Sequence, residues 1–290
     1  MTEPFPIIDK SQARASFEKA ADSYDGAAVL QRQTAEEMLE RLELVKLQPE
    51  VILDIGCGTG EATAALSKRY KKAKVIALDF AHAMLKHTRR RGSSWLKKQA
   101  CVCADAEQLP LADASVDLIF SNATIQWCND LERTFAGFLR VLKPGGLIMF
   151  SSFGPDTLTE LRQAWAAVDG TSHVSPFLDM HDVGDALLRV GFADPVMDVE
   201  RMTLTYPDVK GLMRDLKQIG AHNVTADRHR GLTGKGRMLA MTQAYEQFRR
   251  DGQLPASYEV VHGHAWVPEM NQQVRDGSVM VSLDPYKPGS

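Results

Sequence analysis

The sequence predicts an α/β protein built on a Rossmann-like, seven-stranded, doubly wound sheet with helical lid and cap inserts. Buried-strand patterns alternate with helical patterns, as in a parallel sheet with crossover helices. VILDIGCGTGE, residues 51–61, runs from an apolar strand through a glycine turn into a helix. AKVIALD, residues 73–79, is a second strand that ends on an aspartate. LKPGG, residues 142–146, predicts a helix end and a turn before the fifth strand, residues 147–153.

The turn after the first strand carries an acidic residue at its entrance. Asp54 lies two residues before the first of three glycines, Gly56, Gly58 and Gly60. Glycines let a ligand approach the backbone, and the following helix presents free N–H groups. A carboxylate here would repel a pyrophosphate, so it favours a ligand with a cationic end, such as S-adenosylmethionine. In this stretch the sequence resembles the class I S-adenosylmethionine-dependent methyltransferases.

Further polar residues follow the next two strands. Asp79 ends the second strand, where a doubly wound fold places the acid that binds ribose hydroxyls, although the same residue would also cap the next helix. Phe80 and Met84 would then flank the adenine. The resemblance implies that Asp105 accepts a hydrogen bond from the adenine amino group and that the Ala106 N–H serves a ring nitrogen.

Residues outside these three strands complete the expected site. Asn122 follows the fourth strand, where it would contact the methionine part of the cofactor or the substrate. Trp127 would either wall the pocket or pack in the core. FEKAADSYD, residues 17–25, resembles the helical leader that many small-molecule methyltransferases fold over the cofactor. That resemblance implies that Tyr24 faces the methionine end and that Gln31 reaches its carboxylate.

The order of these patterns predicts the domain organisation. Residues 1–47 are expected to form an N-terminal helical lid, because their helices precede the first strand. Residues 48–270 would form the class I methyltransferase domain. Two inserts, at about 154–178 and 207–255, would cap the ligand edge of the sheet and build the acceptor pocket. Residues 271–290 are expected to be a flexible tail.

Composition narrows the class of protein further. The 290 residues are 44% hydrophobic and 24% charged, with a net charge of −3, which disfavours a bulk nucleic-acid binder. The four cysteines show no metal-site spacing, so we expect reduced thiols in a cytoplasmic protein and no metal. The N-terminus lacks a signal pattern, and no apolar run approaches the roughly 20 residues of a membrane helix. Composition leaves the oligomeric state open.

Several blocks carry a more specific resemblance, which extends from about residue 10 to residue 268. In order, they are FEKAADSYD, SNATIQWCND, FSSFGPDTLTELRQAW, MRDLKQIGAHN with RHRGLTGKG, and SYEVVHGHAW. Together they resemble the malonyl-acyl-carrier-protein O-methyltransferases of biotin synthesis. The resemblance implies esterification of the free malonyl carboxylate on a phosphopantetheine-linked thioester, so an acyl carrier protein, or coenzyme A, would present the substrate.

Such an acceptor requires a cationic or hydrogen-bonding clamp but no general base, since a carboxylate is already anionic at neutral pH. Candidate contacts with the substrate are Tyr24, Trp127, Arg14, Arg201, His222, Asn223 and Arg230. The basic residues expected to meet an acidic carrier protein are Arg228, Arg230, Lys235 and Arg237.

Three alternatives remain open. The protein could methylate a small free dicarboxylate or another small molecule on the same fold. It could bind the cofactor without turnover, as a regulator or scaffold. Nicotinamide-dependent oxidoreduction is disfavoured by Asp54, for the reason given above.

Overall fold

The computed structural model describes residues 7–92, 100–225 and 234–269, and the backbone of residues 274–275 and 278–279. In this part of the chain the helices, α1 to α10, are Lys10–Ala20, Tyr24–Ala27, Val29–Arg41, Glu61–Arg69, His82–Gly92, Leu131–Val141, Thr159–Ala166, Met180–Val190, Val209–Gln218 and Lys235–Tyr245. The strands, β1 to β9, are Val51–Ile55, Lys74–Asp79, Ala100–Cys103, Val116–Ser121, Leu142–Phe153, Ala193–Tyr206, Leu254–Trp266, Val274–Arg275 and Ser278–Val279. None of the helices described has both the length and the apolar character needed to cross a membrane.

Strands β1 to β7 form one sheet in the order β3-β2-β1-β4-β5-β7-β6. Strands β1 to β5 pair in parallel, and β7 runs antiparallel to both β5 and β6. The predicted seven-stranded α/β sheet is therefore confirmed. Because β1 to β4 are parallel, their carboxyl ends share one edge, which is where open α/β sheets bind ligands.

Helices cover both faces of the sheet because the central strands are apolar on both sides. On β1, Leu53 is buried in one cluster with Phe138 of α6. Its neighbour Ile52 points to the opposite face and is buried with Met38 of α3 and Leu66 of α4. Alternate residues of a strand point to opposite faces, so an apolar run such as VILDI fits a doubly covered sheet.

Local caps fix the helices that cover one of these faces. Asp130 accepts a hydrogen bond from the backbone N–H of Arg133 at the start of α6. Asp179 does the same for His181 at the start of α8. Gly191 then ends α8 in a left-handed conformation, with φ of 105°. These contacts set where α6 and α8 begin and where α8 ends, just before β6.

The fifth strand begins earlier than predicted. Helix α6 does end at Val141, but LKPGG belongs to β5 instead of forming a separate turn. Leu142 already pairs with Val116, and the register shifts before Leu147 pairs with Leu118. Gly145 has a φ of 73° within this irregular stretch. The glycines therefore accommodate a bulge inside the strand.

The N-terminal helices contact the second predicted insert at the ligand edge. The Asp9 N–H donates to the Val224 carbonyl at 2.9 Å, and the Ser23 hydroxyl donates to the Gln218 carbonyl at 3.0 Å. These contacts join α1 and its neighbourhood to the segment that follows α9. The division into lid, domain and tail stays a prediction. Most of the predicted tail lies outside the described residues.

Candidate active site

The carboxyl ends of β1 to β4 open onto a cleft beneath the N-terminal helices, which we call the strand-end cleft. The expected residues that line it are Tyr24, Gly56, Gly58, Asp79, Phe80, Met84, Asp105, Ala106, Asn122 and Trp127. It adjoins a recess whose lining includes Tyr24, Gln31, Asp54, Gly56, Gly58 and Asn122. All the expected cofactor-binding residues except Gly60 therefore line these two connected spaces.

The three glycines of the turn have different surroundings, although all have positive φ. A Cβ on Gly56 would collide with the Thr124 side chain. A Cβ on Gly60 would lie 2.8 Å from the Thr88 Cα. At Gly58 the nearest atom is Cε1 of Tyr24, 3.8 Å away. Gly56 and Gly60 thus permit close packing, whereas Gly58 leaves space on the ligand side.

Asp79 supports the glycine turn from the end of β2. It is only 5% exposed. One carboxylate oxygen accepts the Gly58 N–H at 3.0 Å, and the other accepts the Ala81 N–H at 2.8 Å. Ala81 precedes α5, and the first N–H groups of that helix donate to Glu18 instead. Asp79 therefore holds the glycine turn and does not cap α5. These contacts are compatible with binding ribose hydroxyls, because each carboxylate oxygen can accept a second hydrogen bond.

Asp54 is a buried carboxylate in the recess. It is 1% exposed, and the Thr63 hydroxyl donates to its Oδ2 at 2.5 Å. Burial raises the pKa of Asp54 to about 7; the Thr63 hydrogen bond opposes this rise, and the charge of Asp79 adds to it. A positively charged ligand in the recess would favour the ionised form.

This raised pKa predicts a pH-dependent stability. The native state retains the Asp54 proton to about pH 7, whereas the unfolded chain releases it near pH 4. The free energy of unfolding of the ligand-free protein should therefore fall as pH rises between those values, with Asp54 contributing about 2–4 kcal/mol. Urea unfolding at several pH values measures this contribution as the difference between wild type and Asp54→Asn. Asp113→Asn, at an exposed position, is the control. An unchanged pH dependence in Asp54→Asn would contradict the assignment.

Lys10 is a member of the site that the sequence analysis missed. Its ammonium group donates to both carboxylate oxygens of Asp105, at 2.8 and 3.0 Å. It also lies 3.1 Å from Glu107. The expected adenine acceptor, Asp105, is therefore tied to helix α1. No spacing rule could indicate this pair, because its two members lie far apart in the chain.

An aromatic group forms one wall of the cleft. Phe17 of α1 packs against Phe80 with ring centroids 5.7 Å apart, and against Trp127 at 5.2 Å in an edge-to-face arrangement. Met84 is buried beside Phe17 and Phe80. These flat and polarisable surfaces suit the faces of an aromatic base.

Asn122 links the sheet edge to α3. Its amide donates to the Gln31 carbonyl at 2.8 Å, and its carbonyl oxygen accepts the Ser151 hydroxyl at 2.7 Å. Because both ends of the side chain are engaged, its orientation is fixed. The Gln31 side chain lines the recess and also a second, neighbouring pocket.

The second pocket lies between the N-terminal helices and the two inserts; we call it the roof pocket. Its lining is largely apolar and includes Phe153, Leu158, Leu161, Phe177 and Tyr258. Polar groups are contributed by Gln31, Gln126, His173, His222 and Asn223. Trp127 lines both this pocket and the strand-end cleft. The two spaces are therefore adjacent, with Trp127 between them.

The structure brings three of the substrate candidates, Trp127, His222 and Asn223, to the roof pocket. Tyr24 lies in the cleft instead. Arg14 is more than half exposed and lies 3.8 Å from Glu18. Arg228 and Arg230 lie outside the described residues. Lys235 is exposed at the start of α10.

The structure does not bring Arg201 to either space, so this candidate was wrong. Its side chain is 75% exposed and pairs with Asp156 at 2.9 Å. On β6, Arg201 lies opposite Glu259, whereas its neighbour Met202 lies opposite Tyr258 of the roof pocket. Alternation along the strand therefore turns Arg201 to the other face of the sheet.

His173 is a roof-pocket residue that was not among the sequence-based candidates. Its ring stacks on Trp165 with centroids 3.7 Å apart. Its Nε2 lies 2.9 Å from Asp169, four residues earlier in the sequence. Both contacts fix the orientation of the ring. The sequence signal was the Asp-x-x-x-His spacing, which is too common to indicate a site.

Solved structures support the fold. Phosphoethanolamine N-methyltransferase 2 from Haemonchus contortus, in complex with S-adenosyl-L-methionine, superposes with a TM-score of 0.54 at 17% identity. The superposition covers 87% of this chain and 57% of that one. At this identity the likeness shows a shared class I methyltransferase fold.

Sequence relatives go further and confirm the resemblance noted above. A family model described as "Methyltransferase domain" matches residues 53–150. Malonyl-[acyl-carrier protein] O-methyltransferase from Methylovorus sp. (strain MP688) is 54% identical over 98% of each chain. The protein of that name from Gallionella capsiferriformans (strain ES-2) is 53% identical over 95% of this chain and 96% of its own. The chain belongs to the malonyl-[acyl-carrier protein] O-methyltransferase family.

Proposed function

We propose that the strand-end cleft binds S-adenosylmethionine, which supplies an electrophilic methyl group when bound. Asp79 would hold the ribose, and Phe80 and Met84 would contact the adenine. The backbone of Ala106 would contact a ring nitrogen. The exocyclic amino group would lie near Asp105, where Lys10 already occupies part of the carboxylate.

The recess suits the methionine end of the same ligand. Asp54 is a buried carboxylate whose observed partner is a neutral hydroxyl. A cationic ligand would supply the positive charge that this carboxylate needs when it is ionised. Gly58 leaves its ligand side open. Gln31 and Tyr24 line the same space and would contact the carboxylate and the alkyl part. These residues therefore fit an amino-acid end with an adjacent sulfonium.

We propose further that the acceptor is the free carboxylate of a malonyl thioester on acyl carrier protein. The observation that carries this proposal is the roof pocket, which adjoins the cleft at Trp127 and is apolar with a few polar groups. An acyl thioester needs an apolar channel for its chain and hydrogen bonds for its carbonyl and carboxylate groups. The names of the relatives specify the same substrate.

The chain's own residues would align this acceptor and exclude water. A carboxylate needs no proton removed before it attacks, so alignment and desolvation are the main tasks. Partial burial and the positive charges of Lys217 and Lys19 lower the pKa of His222. The lowered pKa favours the neutral imidazole in the ligand-free protein, and His222 would orient the acceptor by hydrogen bonding. Asn223, held by a hydrogen bond to the Ser172 carbonyl, would do the same.

The product is a neutral methyl ester, so the modified acyl chain resembles an ordinary fatty-acid primer. We propose that this step begins the pimeloyl chain of biotin in the cytoplasm. The N-terminal helices would act as a lid over the cleft. The basic residues near the start of α10, Lys235 and Arg237, would meet the acidic carrier protein.

The direct test is acceptor choice. Purified protein with labelled S-adenosylmethionine is offered malonyl-acyl carrier protein, malonyl-coenzyme A and free malonate. We expect a methyl ester on the carrier-bound malonyl group, detected by mass spectrometry. Methylation of free malonate alone would support the alternative, a small-molecule methyltransferase of the same fold. Donor binding without transfer to any of the three would support a non-catalytic role.

A genetic test addresses the proposed role of the protein in biotin synthesis. We expect expression of this chain to restore growth on biotin-free medium to a bacterium that lacks its own pimelate-initiating methyltransferase. The Gly58→Val variant, expressed at the same level, should fail to do so. No growth with the wild-type chain, despite methyl transfer in vitro, would contradict the proposed role in biotin synthesis.

Removing the His222 side chain should weaken the acceptor side of the reaction only. We expect His222→Ala to lower kcat/KM for the carrier-bound substrate by roughly tenfold, the value of one hydrogen bond of about 1.4 kcal/mol. The dissociation constant for S-adenosylmethionine should not change. His181→Ala, at an exposed position of α8, is the control. Unaltered kinetics in His222→Ala would remove this residue from the acceptor site.

A further inference from the structure

Three side chains from distant parts of the chain converge under α3, on the face of the sheet opposite Arg201. They are His262 of β7, Glu200 of β6 and Glu37 of α3. Nε2 of His262 lies 3.6 Å from Oε2 of Glu37 and 3.8 Å from Oε2 of Glu200. The three possible ligand atoms lie within 4.8 Å of one another. The two distances from His262 are too long for hydrogen bonds.

His262 is buried without a hydrogen-bond partner in the described part of the chain. It is 3% exposed. Neither of its ring nitrogens has a partner there, and the Oε2 of Glu37 also lacks one. An unpaired buried polar atom costs about 1–3 kcal/mol, so native proteins seldom keep several in one place. Something that binds two carboxylates and an imidazole together would remove this cost.

We propose that Glu37, Glu200 and His262 bind one divalent transition-metal ion, with Zn²⁺ as the representative. Imidazole favours zinc and its neighbours over magnesium and calcium, which prefer oxygen ligands alone. Zinc bonds of about 2.0–2.2 Å in a tetrahedral site place ligand atoms roughly 3.3–3.5 Å apart. The observed distances of 3.6 and 3.8 Å therefore need to shorten by only a few tenths of an ångström.

The solvent exposure and the charge of this cluster also suit a metal ion. The side chains of Glu37 and Glu200 are 23% and 39% exposed, so water can complete the coordination. The nearby positive group, Arg41, is already paired with Asp198 at 2.8 Å. This pairing offsets its repulsion of a metal ion. The two glutamates thus supply the negative charge that a divalent cation needs.

The position of the three ligands indicates a structural role. Glu37 lies on α3, while the other two lie on the antiparallel strands β6 and β7. A bound ion would fasten α3 to this edge of the sheet. Gln31, nearer the start of α3, has its carbonyl bound by Asn122 of the strand-end cleft. The ion would therefore steady the helix that contributes Gln31, without touching the reacting groups.

Isothermal titration of Zn²⁺ into the metal-free, full-length protein tests the proposal. We expect one saturable site whose dissociation constant rises at least tenfold in His262→Gln. His264→Gln is the matched control, because His264 lies two residues along β7 on the same face. Cys103→Ser controls for zinc held by the exposed thiol. Both controls should keep the wild-type constant.

A second pair of variants keeps the test decisive if glutamine at position 262 disturbs the fold. Glu37→Gln and Glu200→Gln, at partly exposed positions, should weaken zinc binding to the same extent, whereas Glu36→Gln on the exposed side of α3 should not. Zinc should raise the melting temperature of wild type and controls but not of the ligand variants. Equal zinc affinity in wild type and all folded ligand variants would overturn the proposal. So would the absence of saturable binding in wild type up to millimolar zinc.

Discussion

Replacing Gly58 by valine is expected to abolish measurable binding of S-adenosylmethionine while leaving the protein folded. The Cβ position of Gly58 faces the ligand space, with Tyr24 as its nearest neighbour at 3.8 Å. A valine would fill this space. The φ of 54° also disfavours a β-branched residue and would shift the turn. We expect the dissociation constant measured by calorimetry to rise at least about a hundredfold, or about 2.7 kcal/mol.

A glycine outside the site provides the control. Among the described residues, a Cβ on Gly137 of α6 would have no atom within 4 Å apart from its chain neighbours and the backbone of its own helix. Gly137→Val should therefore keep the wild-type donor affinity. Circular dichroism on both variants separates a lost site from a lost fold. A folded Gly58→Val protein that binds the donor like wild type would show that the ligand lies elsewhere.

Replacing Asp79 by alanine should have the second largest effect. The change removes the proposed ribose contact and also leaves the backbone N–H groups of Gly58 and Ala81 without their acceptor. Leaving a buried donor without its acceptor costs about 1–3 kcal/mol. We expect donor affinity to fall by roughly ten- to a hundredfold, together with a lower melting temperature.

Asp79→Asn distinguishes the two contributions. Asparagine can still accept one backbone hydrogen bond, so it should recover part of the stability but little of the donor affinity. Asp113→Ala, at an exposed carboxylate, is the control and should change neither quantity. Wild-type donor affinity in a folded Asp79→Ala protein would leave Asp79 only a structural role in the glycine turn.

The strand-end residues were predictable because their position follows from local order alone. Asp54, Asp79 and Asn122 each lie at or just beyond the end of an apolar strand, and parallel strands bring such ends to one edge. The glycine turn between β1 and α4 was predictable for the same reason. The structure brings these residues together, and their contacts with a ligand stay a prediction.

Long-range contacts could not be predicted from spacing. Lys10 meets Asp105, and His173 stacks on Trp165, only after the leader and inserts fold over the sheet. Arg201 failed for a different reason. The face of the sheet to which its side chain points depends on the register of β6 with β7, which the sequence pattern alone did not fix.

A crystal structure with S-adenosylhomocysteine bound tests the central claim most directly. We expect the adenosine beside Asp79 and Phe80, the homocysteine end in the recess by Gly58 and Asp54, and the sulfur facing the roof pocket near Trp127. Electron density for the ligand at any other place, with the recess filled by protein side chains, would contradict the account.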